Sequence, residues 1–429
     1  MHCGNSQADR LAAEAIVVGA GPAGLTAAMS LAATGVDVLV AAPAYVPARS
    51  EADRRTTALL PGSIQLLENL GVWGTCAAQS APLEGVRIID DRGDLLRAPE
   101  VLFKARELGL ACLGANIPNA ALNAALNAAA TNASGLRRVP TAAAVGMEIG
   151  PDFLEISFAE GGKARGRLAI AADGRNSTIR AAARIGTRTW SYGQVAIAAV
   201  FRHSRAHANV TTEFHRRPGP LTVVPLPGDA SSLVWVETAA EAKRLAALEE
   251  KAFLVELSAR LHGLLGDLGE LSPRAVFPLM GLQAEYMARA RTALVGEAAH
   301  VIPPIGAQGL NLGLRDAAYL AECVGAARAA GDDIGADATL EAYRASRTPD
   351  ILSRTISVDL LNRSLLFDFL PMQALRGLGL HLLANAGVLR RVLMRSGLDA
   401  PGDAPRLMQP GNRHAPLDAG AATGQSGLR

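Results

Sequence analysis

The stretch from Ile16 to Val40 limits this chain to very few folds. Ile16 to Val18 is a short apolar strand, Gly19-Ala20-Gly21-Pro22-Ala23-Gly24 follows at once, Leu25 to Ala33 has helical composition, and Gly35 leads into a second apolar strand, Val36 to Val40. That is G-x-G-x-x-G in a strand–turn–helix–strand setting. Its glycines serve a tight turn, close approach of backbone to a pyrophosphate, and packing of helix on strand. The spacing predicts a Rossmann-like βαβ unit that binds a dinucleotide. Ala15 to Val36 carries no charge and is long enough to span a bilayer. Four glycines and a proline within it, and a preceding segment without the basic-then-apolar order of a signal peptide, favour the Rossmann unit instead.

A second constellation lies far along the chain. The apolar strand Thr292 to Val295 ends in Gly296-Glu297, passes a Pro303-Pro304 turn, and meets a glycine-rich segment that opens a helix, GEAAHVIPPIGAQGLNLGLRD. A helix start directs unpaired N–H groups, and about half a positive charge, at whatever lies before it. That suits an anionic or electron-rich ligand edge. A third strand, Leu168 to Ala172, runs into Asp173-Gly174-Arg175-Asn176-Ser177-Thr178-Ile179-Arg180. Alone, it also reads as a solvated turn with a Ser or Asn helix cap.

Together, GAGPAG, ADGRNSTIR and GEAAHVIPPIGAQGLNLGLRDA resemble the single-component flavoprotein aromatic hydroxylases, the para-hydroxybenzoate hydroxylase family, and within it the ubiquinone-biosynthesis ring hydroxylases. Asp53-Arg54-Arg55-Thr56-Thr57-Ala58-Leu59 matches the D-x-R-x-x-A-L segment of that subgroup. Tyr192-Gly193-Gln194, Gly219-Pro220, Pro225-Leu226, Tyr343 with Arg347, Asp359-Leu360-Leu361-Asn362-Arg363 and Leu375-Arg376-Gly377-Leu378-Gly379-Leu380 follow in family order. The resemblance spans residues 14 to 397.

It implies an α/β fold in which a Rossmann-like FAD-binding domain (13–74, 108–182 and 287–340) interleaves with an antiparallel β-sheet substrate domain (75–107 and 183–286). A helical C-terminal region (341–398) and a disordered tail (399–429) would follow. Gly19, Gly21, Pro22, Ala23 and Gly24 would hold the FAD pyrophosphate. Arg55 would lie beside the flavin or its phosphates, Asp173 and Gly174 would touch FAD near the route of the nicotinamide donor, and Glu297 would reach the ribityl chain. Gly309, Leu310 and Asn311 would present amides to the flavin pyrimidine, where negative charge collects on reduction. The implied activity is ring hydroxylation of a prenylated phenol with NAD(P)H and dioxygen, through a flavin hydroperoxide. Hydroxylation or epoxidation of a small soluble aromatic, or flavin binding without turnover in a biosynthetic assembly, remain open. No catalytic side chain is expected, because the flavin carries the chemistry; His300 would support the flavin loop.

Two positions depart from the family. Ala42, followed by Pro43, stands where an acidic residue would bond the adenosine ribose, and Glu297 replaces an aspartate. Ala42 predicts looser FAD retention; Glu297 predicts a tolerated conservative swap, the alternative being loss of the ribityl contact and flavin binding without turnover.

Along the intervening sequence, period-two alternation predicts strands at Gly85 to Asp90 and Leu95 to Arg97, Gln194 to Phe201, Leu221 to Leu226 and Ser232 to Glu237, with one helix from Glu241 to Leu264. His203 and His207 read as surface residues. A net charge of +2 without basic tracts gives no reason to expect nucleic acid. Cys3, Cys76, Cys112 and Cys323 lack metal-ligand spacing and read as reduced thiols of a cytoplasmic protein, with no metal expected. Met372 to Leu398 is basic and apolar by turns, which suits a helix packed on its own domain, the inner face of a membrane, or a partner complex.

Overall fold

Four of the five parallel strands in the central sheet are buried along their whole length. A computed structural model describes residues 10–51, 53–93, 99–366, 387–398 and 404–412. Its six-stranded sheet runs in the order Ala288–Arg289, Thr292–Leu294, Leu168–Ala171, Ala15–Val18, Val38–Ala42 and Leu136–Pro140. All neighbours are parallel except the first pair. Strands such as Ala15-Ile16-Val17-Val18 and Leu168-Ala169-Ile170-Ala171 are apolar throughout rather than alternating, as required when helices cover both faces of a sheet.

The first helix, Pro22–Ala33, leaves the glycine turn and lies against the long helix Gln308–Ala330. Their approach depends on small residues. A Cβ on Gly313 would sit 3.1 Å from the Gly296 Cα and 3.2 Å from the Ala23 Cβ. Further along, one on Gly325 would meet the Thr34 side chain at 3.1 Å. Asp337–Leu366 then packs on Gln308–Ala330, its Tyr343 hydroxyl donating to the Leu294 carbonyl at 2.8 Å.

The second large sheet has nine strands and is antiparallel apart from one pair, Val210–His215 with Gly85–Asp90, which is parallel. At its centre is the strand Thr187–His203, longer at both ends than alternation predicts. Its register slips between Ser191 and Val195, where Gly193 has φ 67°. That slip is the Tyr192-Gly193-Gln194 motif. It turns Tyr192 to Asp359 (3.0 Å) and Gln194 to Asn362 (2.9 Å), joining two motifs that lie far apart in sequence. One face of the sheet buries Phe201, Phe214 and Trp235 against Leu245, Phe253 and Leu257 of two covering helices.

Two expectations about elements change, and a third lies where no residue is described. The single helix over 241–264 is two, Ala239–Ala247 and Glu250–Arg260. Arg274 explains the break: its guanidinium donates to the carbonyls of Leu245 (3.0 Å) and Leu248 (2.7 Å), satisfying a helix end where helix would otherwise continue. The strand expected at Leu95 to Arg97 falls outside the described residues; Gly85–Asp90 pairs with Val101–Lys104. Part of the tail expected to be disordered is folded. Residues 404–412 dock with Leu407 and Met408 buried, and Asn69 donates to the carbonyls of Leu407 and Gln409. Two buried apolar side chains among polar neighbours left too weak a pattern to mark this segment. The Leu375 to Leu380 motif also falls outside the described residues, whereas Gly387–Leu398 is a helix.

Candidate cofactor site

Strand order brings the three sequence motifs together. Ala15–Val18 lies between Val38–Ala42 and Leu168–Ala171, and the latter is followed by Thr292–Leu294. Because all four run in one direction, Gly19-Ala20-Gly21, Ala172-Asp173-Gly174 and Gly296-Glu297 emerge at the same edge. The carboxyl edge of a parallel sheet is where such folds bind ligands.

The glycines there divide by what surrounds them. Gly19 has φ 109°, and a Cβ on it would lie 2.2 Å from the Ala172 carbonyl oxygen; one on Gly24 would lie 2.2 Å from the Gly19 oxygen. Those two serve the protein's own packing. Gly21 is different: it is exposed, in extended conformation (φ −70°, ψ 173°), and a Cβ there would meet nothing within 4 Å. Nothing in the polypeptide explains why it is glycine. It caps the helix Pro22–Ala33, which has no side-chain cap and no acidic residue in its first turn. Pro22 lacks an N–H, so Ala23 and Gly24 supply the free amides at this end.

The helix Gln308–Ala330 begins in the same manner. Gly306 and Ala307 both adopt left-handed conformations (φ 66° and 56°), and no side chain caps the helix. For alanine this conformation costs about 1 kcal/mol. Gly309, in the first turn, is exposed with nothing within 4 Å of a Cβ. The N–H groups of Gly309 and Leu310 precede the first i→i−4 bond and point outward. Asn311 is fully buried, and its side chain is spent inside the protein. It accepts from the Leu60 N–H (2.9 Å) and donates to the carbonyls of Ala58 (2.9 Å) and Ala307 (2.6 Å). Its side chain therefore fastens the helix start rather than facing a ligand.

Arg55 and Asp53 form a bidentate pair at 2.8 Å, with Asn119 also reaching Asp53. The Asp53 hydrogen bond raises the Arg55 pKa above its ordinary value against desolvation, and the exposed Glu297 carboxylate adds to the rise. Arg55 and Glu297, both exposed, thus lie within electrostatic reach of one another. Asp173 accepts from the amides of Thr178 (2.8 Å) and Ile179 (3.3 Å) through Oδ2, while Oδ1 is buried without a partner. Next to it, Gly174 has φ 80° and open space where a side chain would stand.

Supporting groups were less visible in the sequence. Arg180, within the third motif, is buried and donates to the carbonyls of Ala298 and Arg175, both at 2.8 Å. It ties the two loops flanking the opening. His300 is buried and bonds Asp316 at 2.7 Å; Asp316 also accepts from the Gly296 N–H (3.0 Å) and from Arg347 (2.8 Å). His300 is thus placed as loop support. His203 is buried against Ser231 at 3.0 Å, and the partly exposed His207 contacts the carbonyls of Leu226 and Gly228. His203 is therefore not a surface position, whereas His207 stays partly exposed at the strand connection.

These residues fit FAD. Two uncapped helix starts, each with a glycine that leaves room for close approach, suit one anionic and one electron-rich portion of a ligand, and Asp173, at the same sheet edge, keeps a buried acceptor oxygen without a partner among the described residues. Ala42 closes its strand, half of a pair with Pro140, and offers no carboxylate to a ribose. Asp37 does not substitute, since it sits before that strand and pairs with Arg137 at 2.7 Å.

Comparison with known proteins agrees. Residues 12–352 match the model of the FAD binding domain family. The chain is 34% identical over 407 residues to ubiquinone hydroxylase UbiL of Rhodospirillum rubrum, covering 94% of each. It is 31% identical to 3-demethoxyubiquinol 3-hydroxylase of Escherichia coli, covering 90% of this chain and 98% of that one. Among solved structures, p-nitrophenol 4-monooxygenase PnpA of Pseudomonas putida superposes with TM-score 0.74 at 18% identity, covering 92% of this chain and 100% of that one. HpxO of Klebsiella pneumoniae, complexed with FAD and uric acid, superposes with TM-score 0.70 at 19% identity, covering 91% and 97%. Motifs, sheet order and relatives converge, and the chain belongs to the FAD binding domain family as an FAD-dependent monooxygenase.

Proposed function

We propose that this protein hydroxylates the aromatic ring of a prenylated phenol in ubiquinone biosynthesis, with FAD bound across the carboxyl edge of the parallel sheet. The observation that carries the site is the pair of helix starts without a side-chain cap, one with Gly21 at its N-cap and the other with Gly309 in its first turn. The relatives' substrates support the choice of a ubiquinone precursor. In this reading residues 13–74, 108–182 and 287–340 make the FAD domain, and 75–107 with 183–286 the substrate domain.

Bound FAD would supply electron storage from NAD(P)H and the activation of dioxygen. The chain's own residues would bind and orient. The Ala23 and Gly24 amides would hold the pyrophosphate, with Gly21 and Pro22 opening the helix start beside it and Gly19 shaping the turn. Glu297 would accept from the ribityl hydroxyls and Arg55 would balance negative charge nearby. Asp173 and Gly174 would border the approach of the nicotinamide. Gly309 and Leu310 amides would stabilise charge on the pyrimidine as the ring is reduced, with Asn311 holding them in place. Buried Ile302 and Pro303 would help keep water from the reacting face. Among the described residues no helix is long and apolar enough to cross a membrane. Access to a lipid-borne substrate would therefore be peripheral, at the inner membrane face or within a biosynthetic complex.

The test is NAD(P)H oxidation by the purified flavoprotein with prenylated and unprenylated phenols. Stimulation by the prenylated phenol, with oxidation coupled to a hydroxylated product, is expected. Equal stimulation by a small soluble phenol would move the substrate class, and FAD retention without NAD(P)H consumption would overturn the activity.

The two carboxylate departures carry their own expectations. Ala42→Glu restores a ribose acceptor worth about 1.5–3 kcal/mol, so the FAD dissociation constant should fall by roughly 10-fold or more. An unchanged constant would show that another group already serves the ribose. Glu297→Asp should keep flavin content and turnover near those of the parent, because a shift of one C–C bond is absorbed by small relaxation. Glu297→Ala should lose both, and flavin content equal in all three proteins would remove Glu297 from the ribityl contact.

A further inference from the structure

The turn that aims the Gly309 and Leu310 amides is held from outside the cofactor cleft. Gly306 and Ala307 are consecutive left-handed residues, an arrangement that needs fixing from its surroundings. Asn311 holds one of them through the Ala307 carbonyl. The other is held by Gln308, whose Nε2 donates to the Gly306 carbonyl at 3.1 Å. Gln308 is itself buried and oriented by Arg354, whose Nη1 donates to the Gln308 Oε1 at 3.3 Å and to the Gly397 carbonyl at 2.8 Å. Gln308 Nε2 also lies 3.4 Å from that same carbonyl. Arg354 is anchored in turn, its Nε reaching Asp350 at 3.4 Å.

Three segments remote in sequence therefore meet at one amide side chain: the flavin-loop turn, the helix Asp337–Leu366, and the last turn of the helix Gly387–Leu398. Gln308 is the first residue of its helix, so a rotation of its backbone tilts the next two N–H groups directly. We propose that Arg354, acting through Gln308 and seated by the Gly397 carbonyl, is a positioning residue that sets the direction of the Gly309 and Leu310 amides, and thereby flavin affinity and reduction potential. The inference rests on the placement of the flavin pyrimidine at these amides. It makes the C-terminal helix part of the cofactor's environment without its touching the cofactor.

Full-length Arg354→Met, Arg354→Lys and Gln308→Leu are compared for FAD dissociation constant and for the two-electron midpoint potential of bound flavin. Misdirected amides favour the reduced ring less. The Met and Leu variants should bind FAD about 10-fold more weakly, the loss of one charged hydrogen bond, and a tenfold loss in preference for reduced flavin is about 30 mV. Arg354→Lys, which can still donate to the Gly397 carbonyl, should recover part of both. Should Arg354→Met fail to fold, Gln308→Leu alone decides, because it removes the link and leaves the Arg354–Asp350 pair. Potential and affinity unchanged in Gln308→Leu would overturn the proposal. Gly309 is exposed, with nothing in the protein within 4 Å of a Cβ, so FAD affinity and potential unchanged in Gly309→Val would instead overturn the pyrimidine placement beneath it, and the two failures are distinguishable.

Discussion

Replacing Gly21 by valine should reduce FAD affinity by two orders of magnitude or more while leaving the protein folded. The expectation follows from the contrast among neighbouring glycines. At Gly19 or Gly24 a side chain would collide with backbone at 2.2 Å, so loss of cofactor there would not be separable from damage to the fold. At Gly21 the extended backbone accepts any residue, and a Cβ has no neighbour within 4 Å. The folding cost is limited to a poorer helix cap, on the order of 1 kcal/mol. A pyrophosphate seated on the Ala23 and Gly24 amides, by contrast, must occupy the volume the isopropyl group would fill. Displacing it forfeits several charge-assisted bonds of about 1.5–3 kcal/mol each, which corresponds to on the order of 100-fold or more in the dissociation constant. Flavin absorbance per protein after dialysis, read beside the melting temperature of the FAD-free protein, checks both halves. A Gly21→Val protein that copurifies with full flavin would place the pyrophosphate elsewhere.

The parts of this site that the sequence disclosed are those made by local chemistry. Gly19 to Gly24, Asp173-Gly174 and Gly296-Glu297 announce themselves because a tight turn between strand and helix demands particular residues in a short span. Strand burial on both faces was equally visible in the uniform apolar character of Ile16 to Val18 and Leu168 to Ala171. What stayed hidden depends on partners distant in the chain. The Asn311 side chain is held by Leu60 and Ala58, some 250 residues earlier, so its part as a clasp on the helix start has no local signature. Arg274, which ends the helix Ala239–Ala247, lies beyond the reach of any window used to judge helix periodicity. His203 and His207 looked free because Ser231, Leu226 and Gly228 arrive from neighbouring strands. Leu407 and Met408 dock on Asn69 in a segment whose composition suggests no structure. Local sequence thus marked where the ligand would lie, and tertiary contacts determine what holds that place rigid.

The most demanding of those contacts is the buried cluster around Asp316, and its removal should cost the most stability. Asp316 and Arg347 are fully buried, and His300, Arg315 and Asp350 are nearly so. Asp316 receives three donors, from Gly296, His300 and Arg347, while Asp350 takes Arg347 at 2.9 Å and Arg315 at 2.8 Å. Burial alone would raise the Asp316 carboxyl, but the charges and hydrogen bonds of His300 and Arg347 outweigh it and hold it below the ordinary 3.8. Asp316→Ala strands both partners and frees the Gly296 loop; breaking a buried pair in this way costs about 3–5 kcal/mol. The isosteric Asp316→Asn keeps the volume and removes the charge, and so isolates the electrostatic share. A carboxyl depressed in the folded state contributes stability above its unfolded pKa and loses it as pH falls through the folded value. The stability gap between the parent and Asp316→Asn should accordingly be full at neutral pH, begin to close below 3.8, and shrink further with acidification. Asp350 is also depressed and shares Arg347 with Asp316, so its titration is coupled to the change and falls in the same acid range. Urea unfolding of the pair across that range measures the gap, and a gap independent of pH would mean that Asp316 is not the charged hub of the flavin loop.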